Sequence, residues 1–456
     1  MRRNVYHVTD NEIKQRLELA LRSVEKLPTL EEVLEQVSTH GVLRGPVDWV
    51  FPAWMLYVEY ATQKIAETFQ LSEEEKRQLF HFKDTLKRLL LEAWMQAKEK
   101  LTTLCKAVSE GTYRLEGKRL YAPDGVWVYV IEDFTPRVLI HDINASARFP
   151  DVLKLPRERL ELLQLGWRAS DEGNKKGRPF MGTTQPWQAF AWVAVRYGEL
   201  FMHVASVNLT HQGASITVSM TARDWLQQWK KEETINLVLK SFREGELLPL
   251  LSMWLGDGKA RWNRIGRFEV AISAKEPWRI GKVAGDYEAV VAKGRDVFTR
   301  LIESAGPYGK LLDALQSHKW NYIKESAARK RSVEIFREAV GNLSADTADT
   351  VQILESLKFS LVNGNGGTLI AAYYTSDIEE AVAVANALEK LGMRPNINTS
   401  NQKYVVYVGL NDIKRNEQLK KVATQFLAEK LRSGTPRQRE IARRIIERNP
   451  DFSVWP

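Results

Sequence analysis

The sequence has little cysteine and histidine, and it lacks long hydrophobic runs. The single cysteine, Cys105, excludes an intrachain disulfide framework and a cysteine-based zinc site. The seven histidines show no metal-binding spacing such as H-E-x-x-H. The most apolar early stretch, 47–58, is too short to span a bilayer and contains Asp48 and Pro52. No signal-peptide pattern follows Met1. These absences predict a cytoplasmic protein without a membrane partner.

Basic residues exceed acidic ones along the chain. There are 66 Lys and Arg against 57 Asp and Glu, which gives a formal net charge of +9. Both signs are abundant, so the excess belongs to a mixed surface and not to a polybasic tail. A basic excess favours nucleic acid or another polyanion as the partner. A soluble protein that happens to be basic is the alternative.

Hydrophobic periodicity predicts an α+β fold with a helical N-terminal region and a mixed, β-rich middle. A capping box at Ser72 and Glu75 begins a long apolar stripe with helical spacing, and Gly111 ends it. The predicted domains are 1–110 (helical), 111–235 (mixed α/β-rich), and 236–345 and 346–456 (two repeats with the element order αββαββα, the second with a basic tail). We predict helices at 156–165, 351–362, 377–391 and 413–431 and a mostly helical segment at 276–340. Strands are predicted at 189–196, 200–209, 215–221, 267–273 and 367–375, with a hairpin at 394–398 and 402–408. Residues 166–179 are predicted to form a polar, glycine-rich loop.

Two nonapeptides in the C-terminal half share one pattern. Residues 250–258 read Leu-Leu-Ser-Met-Trp-Leu-Gly-Asp-Gly, and residues 358–366 read Lys-Phe-Ser-Leu-Val-Asn-Gly-Asn-Gly. Small residues at 252 and 256 would allow a neighbouring helix to approach closely, and the terminal Asp257 would project from the helix end. The second copy has Asn365 in that place. A turn residue between two glycines is the alternative interpretation of Asp257.

The nonapeptides resemble the signature of the LAGLIDADG homing-endonuclease family. The resemblance implies a monomer with an internal pseudo-twofold axis, in which two helix ends hold acids around a divalent cation above a β-saddle that binds double-stranded DNA. Asp257 would then be the catalytic and metal-binding acid for Mg²⁺, a cation that prefers oxygen ligands. Asn365 could still coordinate the metal through its carbonyl oxygen, but it adds no charge. The family pattern therefore favours a nicking or decayed nuclease, and no organic cofactor is expected.

Several basic residues are candidate nucleic-acid contacts. They flank the strands after the two nonapeptides, lie in the loop at 166–179, or belong to a basic run that contains Trp320 and Tyr322, a mixture that suits phosphate contacts and base stacking. Solvated surface positions are the alternative for each. The candidates are Arg261, Arg264, Arg267, Lys275, Lys319, Lys324, Arg394, Lys403, Lys175, Lys176 and Arg178.

A second resemblance covers roughly residues 160–325. Five segments are similar to the repeat-encoded paREP proteins of hyperthermophilic archaea: Gly166-Trp167-Arg168-Ala169-Ser170-Asp171-Glu172-Gly173-Asn174, Thr183-Thr184-Gln185-Pro186-Trp187, Trp254-Leu255-Gly256-Asp257-Gly258, Lys275-Glu276-Pro277-Trp278-Arg279 and Ser317-His318-Lys319-Trp320. This resemblance implies an archaeal mobile-element context and no particular reaction.

The sequence thus predicts a double-stranded DNA-binding protein related to homing endonucleases, with Mg²⁺-dependent nicking through Asp257 as a conditional activity. A non-enzymatic RNA-binding or maturase-like protein is the alternative, and a scaffold without nucleic acid is a third possibility.

Overall fold

A computed structural model describes residues 10–130, 135–262, 268–274, 282–284, 287–293, 295–328, 332–340, 350–363, 367–400 and 403–452, with backbone only for residue 10, for those among 259–296 and for residues 350 and 351. The fold is mixed α+β, and the chain forms two compact units, Met1–Ala328 and Arg329–Pro456. We call them unit one and unit two.

Four helices begin unit one, as the periodicity predicts. They are α1 (Asp10–Leu21), α2 (Leu30–His40), α3 (Val47–Thr68) and α4 (Glu73–Glu110). The capping box is confirmed: the Ser72 hydroxyl accepts from the amide of Glu75, and the Glu75 carboxylate accepts from the amide of Ser72. Gly111 ends α4 in the left-handed region, with φ of 68°.

A nine-stranded antiparallel sheet lies beside these helices. Its strands run in the order β1-β2-β3-β4-β8-β9-β7-β6, and β5 also pairs with β8. The strand bounds are β1 (Arg114–Glu116), β2 (Arg119–Tyr121), β3 (Trp127–Tyr129), β4 (Arg137–Leu139), β5 (Asn144–Phe149), β6 (Gly173–Lys175), β7 (Arg178–Thr183), β8 (Gly198–Thr210) and β9 (Gly213–Ala222). Helices α1, α3 and α4 contact one face of this sheet. We call the opposite face the free face.

The second half of unit one contains two segments with related element orders, which we call the first and second repeats; among the described residues, only the first has a helix between its second and third strands. The first repeat comprises α5 (Arg157–Ala169), β6, β7, α6 (Pro186–Val195), β8, β9 and α7 (Lys231–Arg243). The second comprises α8 (Leu248–Asp257), β10 (Gly258–Trp262), β11 (Phe268–Ala274), β12 (Lys282–Ala284), β13 (Tyr287–Lys293) and α9 (Arg295–Ala314), followed by α10 (His318–Ala328). In both repeats the second and fourth strands are neighbours in the middle, because the orders are β6-β7-β9-β8 and β10-β11-β13-β12.

Two predicted elements in this half are wrong. Residues 189–196 lie in helix α6 and its C-cap instead of a strand, because every residue of α6 is buried and the helix therefore shows no polar face. The loop at 166–179 is the end of α5 followed by the β6–β7 hairpin, whose turn at Lys176 and Gly177 has positive φ at both positions. The segment 276–340 is mostly helical, as predicted, and it also contains strands β12 and β13.

Helices α5 and α8 pack against each other through small residues. A Cβ atom on Gly166 would lie 2.1 Å from the Pro249 carbonyl oxygen and 2.1 Å from the Ser252 hydroxyl oxygen. A Cβ atom on Gly256 would lie 2.2 Å from the Ser170 hydroxyl oxygen. The close approach predicted at 252 and 256 is confirmed, but the neighbouring helix is α5.

Unit two contains the element order of the first repeat of unit one. Helix α11 (Ser332–Val340) precedes α12 (Thr350–Ser356), β14 (Lys358–Val362), β15 (Thr368–Thr375), α13 (Ile378–Lys390), β16 (Asn396–Ser400), β17 (Lys403–Gly409), α14 (Leu410–Arg415), α15 (Glu417–Ser433) and α16 (Pro436–Arg448). The sheet order is β14-β15-β17-β16. The predicted strand at 367–375, the helix at 377–391 with Asp377 as its N-cap, and the hairpin are confirmed.

The predicted helix at 351–362 is wrong in its second half, because α12 ends at Ser356 and residues 358–362 pair with β15 as strand β14. The second nonapeptide is therefore not a helix end, and Asn365 itself lies outside the described residues. The predicted domain boundaries also need correction. One hydrophobic core runs from Ile13 to Ile323 across the boundaries at 110 and 235, and the segment 236–345 crosses from unit one into unit two.

Replacing Gly166 with alanine is expected to destabilise unit one by about 1–3 kcal/mol, because the methyl group would collide with the backbone of α8 in a packed interface. The midpoint of denaturant unfolding measures this. Gly182→Ala is the matched control, since the nearest neighbours of its Cβ would be the Ser219 hydroxyl at 3.2 Å and the Phe180 ring at 3.7 Å, on an exposed strand position. Equal midpoints for the two variants would contradict the close packing.

Candidate active site

Two aspartates meet where α5 and α8 end. Asp257 is the last residue of α8, and Asp171 follows α5 by two residues. Their side chains form a hydrogen bond with each other, which requires a proton on one of the two carboxyl groups. We call Asp171 and Asp257 the tip pair.

The environment of the tip pair raises the pKa of Asp257 to about 6. Loss of hydration against the surrounding protein is the largest cause, although the residue keeps solvent access at the helix end, and the charge of Asp171 is the next. Lys231 and Lys319 act in the opposite direction. Asp257 therefore keeps its proton up to mildly acidic pH.

Lys319 lies buried beside the tip pair. It extends from α10, and its Nζ donates to the carbonyl oxygens of Leu255 at 2.8 Å and Trp254 at 3.3 Å, and also to that of Gly256. These carbonyls end α8, where a positive charge is favourable. Burial lowers the pKa of Lys319 to about 8, while Asp171 and Asp257 raise it.

Polar side chains from neighbouring elements orient Asp171. Gln188 on the buried helix α6 donates from Nε2 to Asp171 Oδ2 at 2.6 Å, and its Oε1 accepts from the Thr183 hydroxyl. Lys231, at the start of α7, donates to the carbonyl oxygen of Ser170 at 2.6 Å. Asp171 is thus held in place from two directions.

The residue after Asp171 is anchored in the core. Glu172 is fully buried and forms a bidentate ion pair with Arg196, at 2.8 and 2.9 Å, and accepts from Trp192 Nε1 at 2.8 Å. Gln227 Nε2 donates to the same carboxylate at 2.8 Å. A buried carboxylate paired in this way fixes the backbone that presents Asp171.

The chemistry of the tip pair fits a hard divalent cation. Among the described residues no group of three or more His, Cys, Asp or Glu side chains converges on one point. Mg²⁺ nevertheless needs few protein ligands, because waters and phosphate oxygens complete its shell. A cation held between the two carboxylates would displace the proton of Asp257.

Strand β6, at one edge of the nine-stranded sheet, begins two residues after Asp171 of the tip pair. On β8, Phe201 and His203 are half-buried on the free face, and they alternate with buried residues of the opposite face. Arg223 lies over the ring of Phe201 at 5.0 Å, and Lys175 lies over the ring of Phe180 at 5.6 Å. Serine and threonine side chains of β9 lie between these stacked pairs.

The structure brings only some of the candidate contacts near this face. Lys175 and Lys176 are exposed at the β6–β7 turn, while Arg178 donates to the carbonyl oxygen of Trp225 at 3.2 Å. Arg261 is on β10, where only the backbone is described. Arg264, Arg267 and Lys275, like Asn365, lie outside the described residues.

Two predicted contacts in the basic run have partners within the protein. Lys319 is 8% exposed and its ammonium is used by the end of α8, so it is not a residue of a solvated basic face. Lys324 forms an ion pair with Asp313. Arg394 and Lys403 are exposed in unit two, whereas Asp257 is in unit one.

Asp171 is the important site residue that the sequence interpretation missed, although its signal is visible. Gly166, Ser170 and Asp171 have the same spacing as Ser252, Gly256 and Asp257: small, small four residues later, then acid. The absence of glycine after Asp171, where Glu172 stands, conceals this match. Gln188 and Lys231 carry no local pattern that would identify them.

Comparison of the chain with protein-family models, with curated proteins and with solved structures gives no match. None of the described helices is long and apolar enough to cross a membrane. The residues of the site themselves must therefore support any functional interpretation.

Asp257→Asn is expected to stabilise the protein at pH 8 but not at pH 4. A folded pKa of about 6, above the usual 3.8, means that the carboxyl group favours folding while protonated. That contribution is present below about pH 4 and is lost as the pH rises through 6. Thermal unfolding at pH 4, 6 and 8 measures the difference, with Asp142→Asn, an exposed acid, as the control. A pH-independent difference would contradict the coupled pair.

Proposed function

We propose that unit one binds double-stranded DNA along the free face and hydrolyses phosphodiester bonds with Mg²⁺ held by Asp171 and Asp257. The observation that carries this proposal is the tip pair: two acids, from two closely packed helices, face each other at the point where two β-hairpins begin.

The arrangement supports kinship with the LAGLIDADG homing endonucleases. The nonapeptide at 250–258 resembles their signature, and α5 provides a second helix with the same small–small–acid spacing. The element order αββαββα occurs in the first repeat of unit one, the described residues of the second repeat follow it without the middle helix, and the two sheets share one strand order. The pseudo-twofold axis that we propose relates these two repeats, instead of 236–345 and 346–456.

This pairing changes the expected activity. A site that combined Asp257 with Asn365 would have one acid, which favours nicking. The pair Asp171 and Asp257 provides two acids, so the reason to restrict cleavage to one strand disappears. When bound, Mg²⁺ supplies Lewis-acid activation of water and neutralises phosphate charge.

The residues around the tip pair would set its affinity for a cation. Gln188 fixes one oxygen of Asp171, and Lys231 and Lys319 lower the proton affinity of Asp257. Because metal binding must displace the shared proton, binding is expected to weaken below about pH 6. Lys175 at the β6–β7 turn and Arg223 on the free face are placed to meet phosphates.

Supercoiled plasmid incubated with the protein and Mg²⁺ is expected to give nicked or linear DNA. Asp171→Asn and Asp257→Asn should each lower the rate at least about a hundredfold, because each removes a charged metal ligand. Asp142→Asn is the matched control and should retain the parent rate. Gel electrophoresis of time courses at pH 7.5 with Mg²⁺ or EDTA measures the products.

Intact plasmid across varied substrates, with duplex DNA still bound, would leave only a binding role. Preference for structured RNA over duplex DNA, retained across a salt series, would instead favour the RNA-binding alternative. A rate unchanged in Asp171→Asn would contradict the proposed pairing of the two repeats.

A further inference from the structure

The strands at the far end of the nine-stranded sheet carry alternating arginine and aromatic side chains on the free face. Three arginines and three aromatic residues contribute, from β1 to β4. We call these six residues the stacked ladder: Arg114, Arg119, Tyr121, Trp127, Tyr129 and Arg137.

Strand register places the ladder residues side by side in two rows. Arg114 pairs with Tyr121, which pairs with Trp127. In the next row Arg119 pairs with Tyr129, which pairs with Arg137 on β4. Side chains that are directly opposite in an antiparallel pair lie on the same face, so all six point the same way.

Each arginine stacks on an aromatic ring. The guanidinium carbon of Arg119 is 4.4 Å from the centre of the Trp127 ring, that of Arg114 is 5.1 Å from Tyr121, and that of Arg137 is 5.5 Å from Tyr129. The three rings are themselves neighbours, with centroids 6.3 and 5.9 Å apart.

The ladder is not part of the hydrophobic core. The alternate residues Leu120, Val128 and Val138 are buried on the opposite face, and β3 and β4 contact α4. The ladder arginines are exposed and its aromatic residues are half-buried. Cation–π contacts at exposed sites contribute little to stability, so fold stability alone does not explain three of them in adjacent rows.

We infer that the stacked ladder binds single-stranded nucleic acid. Flat guanidinium and aromatic planes can stack on unpaired bases, while the arginine edges donate to phosphate oxygens. One acid, Glu116, lies in the same rows and forms an ion pair with Arg114 at 3.1 Å. Arg119 donates to the Tyr121 hydroxyl at 3.3 Å, which leaves further guanidinium donors for a phosphate.

An unpaired strand fits these planes better than a duplex does. The base faces inside a duplex are covered by their neighbours, so a duplex could use the arginine charges but not the stacking planes. Register connects the ladder to the proposed DNA-binding surface, since Arg137 on β4 pairs with Asn208 on β8. The ladder extends the proposed function, but it does not require cleavage to occur.

Binding of a fluorescently labelled twenty-nucleotide poly-dT strand, followed by polarisation, tests the inference. Arg119→Ala and Arg119→Lys are each expected to weaken binding at least about fivefold, because lysine keeps the charge but not the stacking plane. Arg88→Lys is the matched control, since Arg88 is an exposed arginine of α4 outside the ladder. Thermal unfolding of each variant checks that the fold is retained.

Unchanged binding in both Arg119 variants, or tighter binding of the matching duplex than of the single strand, would overturn the inference. Loss in Arg119→Ala alone would mean that the ladder contributes charge without stacking, which also contradicts it. The measurement is repeated in the Asp171→Asn background, where cleavage is removed. Single-strand binding there, with plasmid left intact by the parent protein, would separate failure of the proposed nuclease from failure of the ladder.

Discussion

The close contact between α5 and α8 is the constraint on which the candidate site depends. Gly166 faces Pro249 and Ser252, and Gly256 faces Ser170, so each helix presents a small residue where the other approaches. Only because the two backbones come this near can the acids at their ends interact. The two hairpins that follow, β6–β7 and β10–β11, begin two residues after Asp171 and one residue after Asp257. The packing of α5 against α8 and the chemistry of the tip pair therefore depend on the same few glycine and serine residues.

Charge balance around the tip pair follows from that geometry. Two adjacent carboxylates that are partly withdrawn from water are unfavourable together, and the protein reduces the cost with a shared proton and with Lys231 and Lys319 nearby. Lys319 could not play this part from the surface. Its burial places the ammonium against the carbonyls that end α8, so one cation both stabilises the helix end and lowers the proton affinity of Asp257. A ligand cation would take over the role of the proton.

Local signals in the sequence predict much of the fold, and long-range pairing explains what they miss. The capping box at Ser72, the cap at Asp377 and the hairpin near 400 depend on neighbouring residues, and all three are present. Asp257 was identified because glycines bracket it. Its partner Asp171 has the same spacing of small residues before it, but Glu172 follows where a glycine was expected, because that position is occupied by the buried pair with Arg196. Helix α6 was mistaken for a strand because a helix buried on all sides has no amphipathic period.

Unit two shows what the architecture requires before it can carry chemistry. It repeats the strand order of the other two sheets, yet α12 has only seven residues and ends before the second nonapeptide begins. Ser360 of that nonapeptide therefore lies in a strand, opposite Ile370 in β15, instead of against a helix. The element order αββαββα alone is thus not sufficient to place an acidic residue at the end of a closely packed helix. The first helix must be long enough to place its small residues against a partner helix and its acid just beyond them, and in this chain α5 and α8 fulfil both conditions.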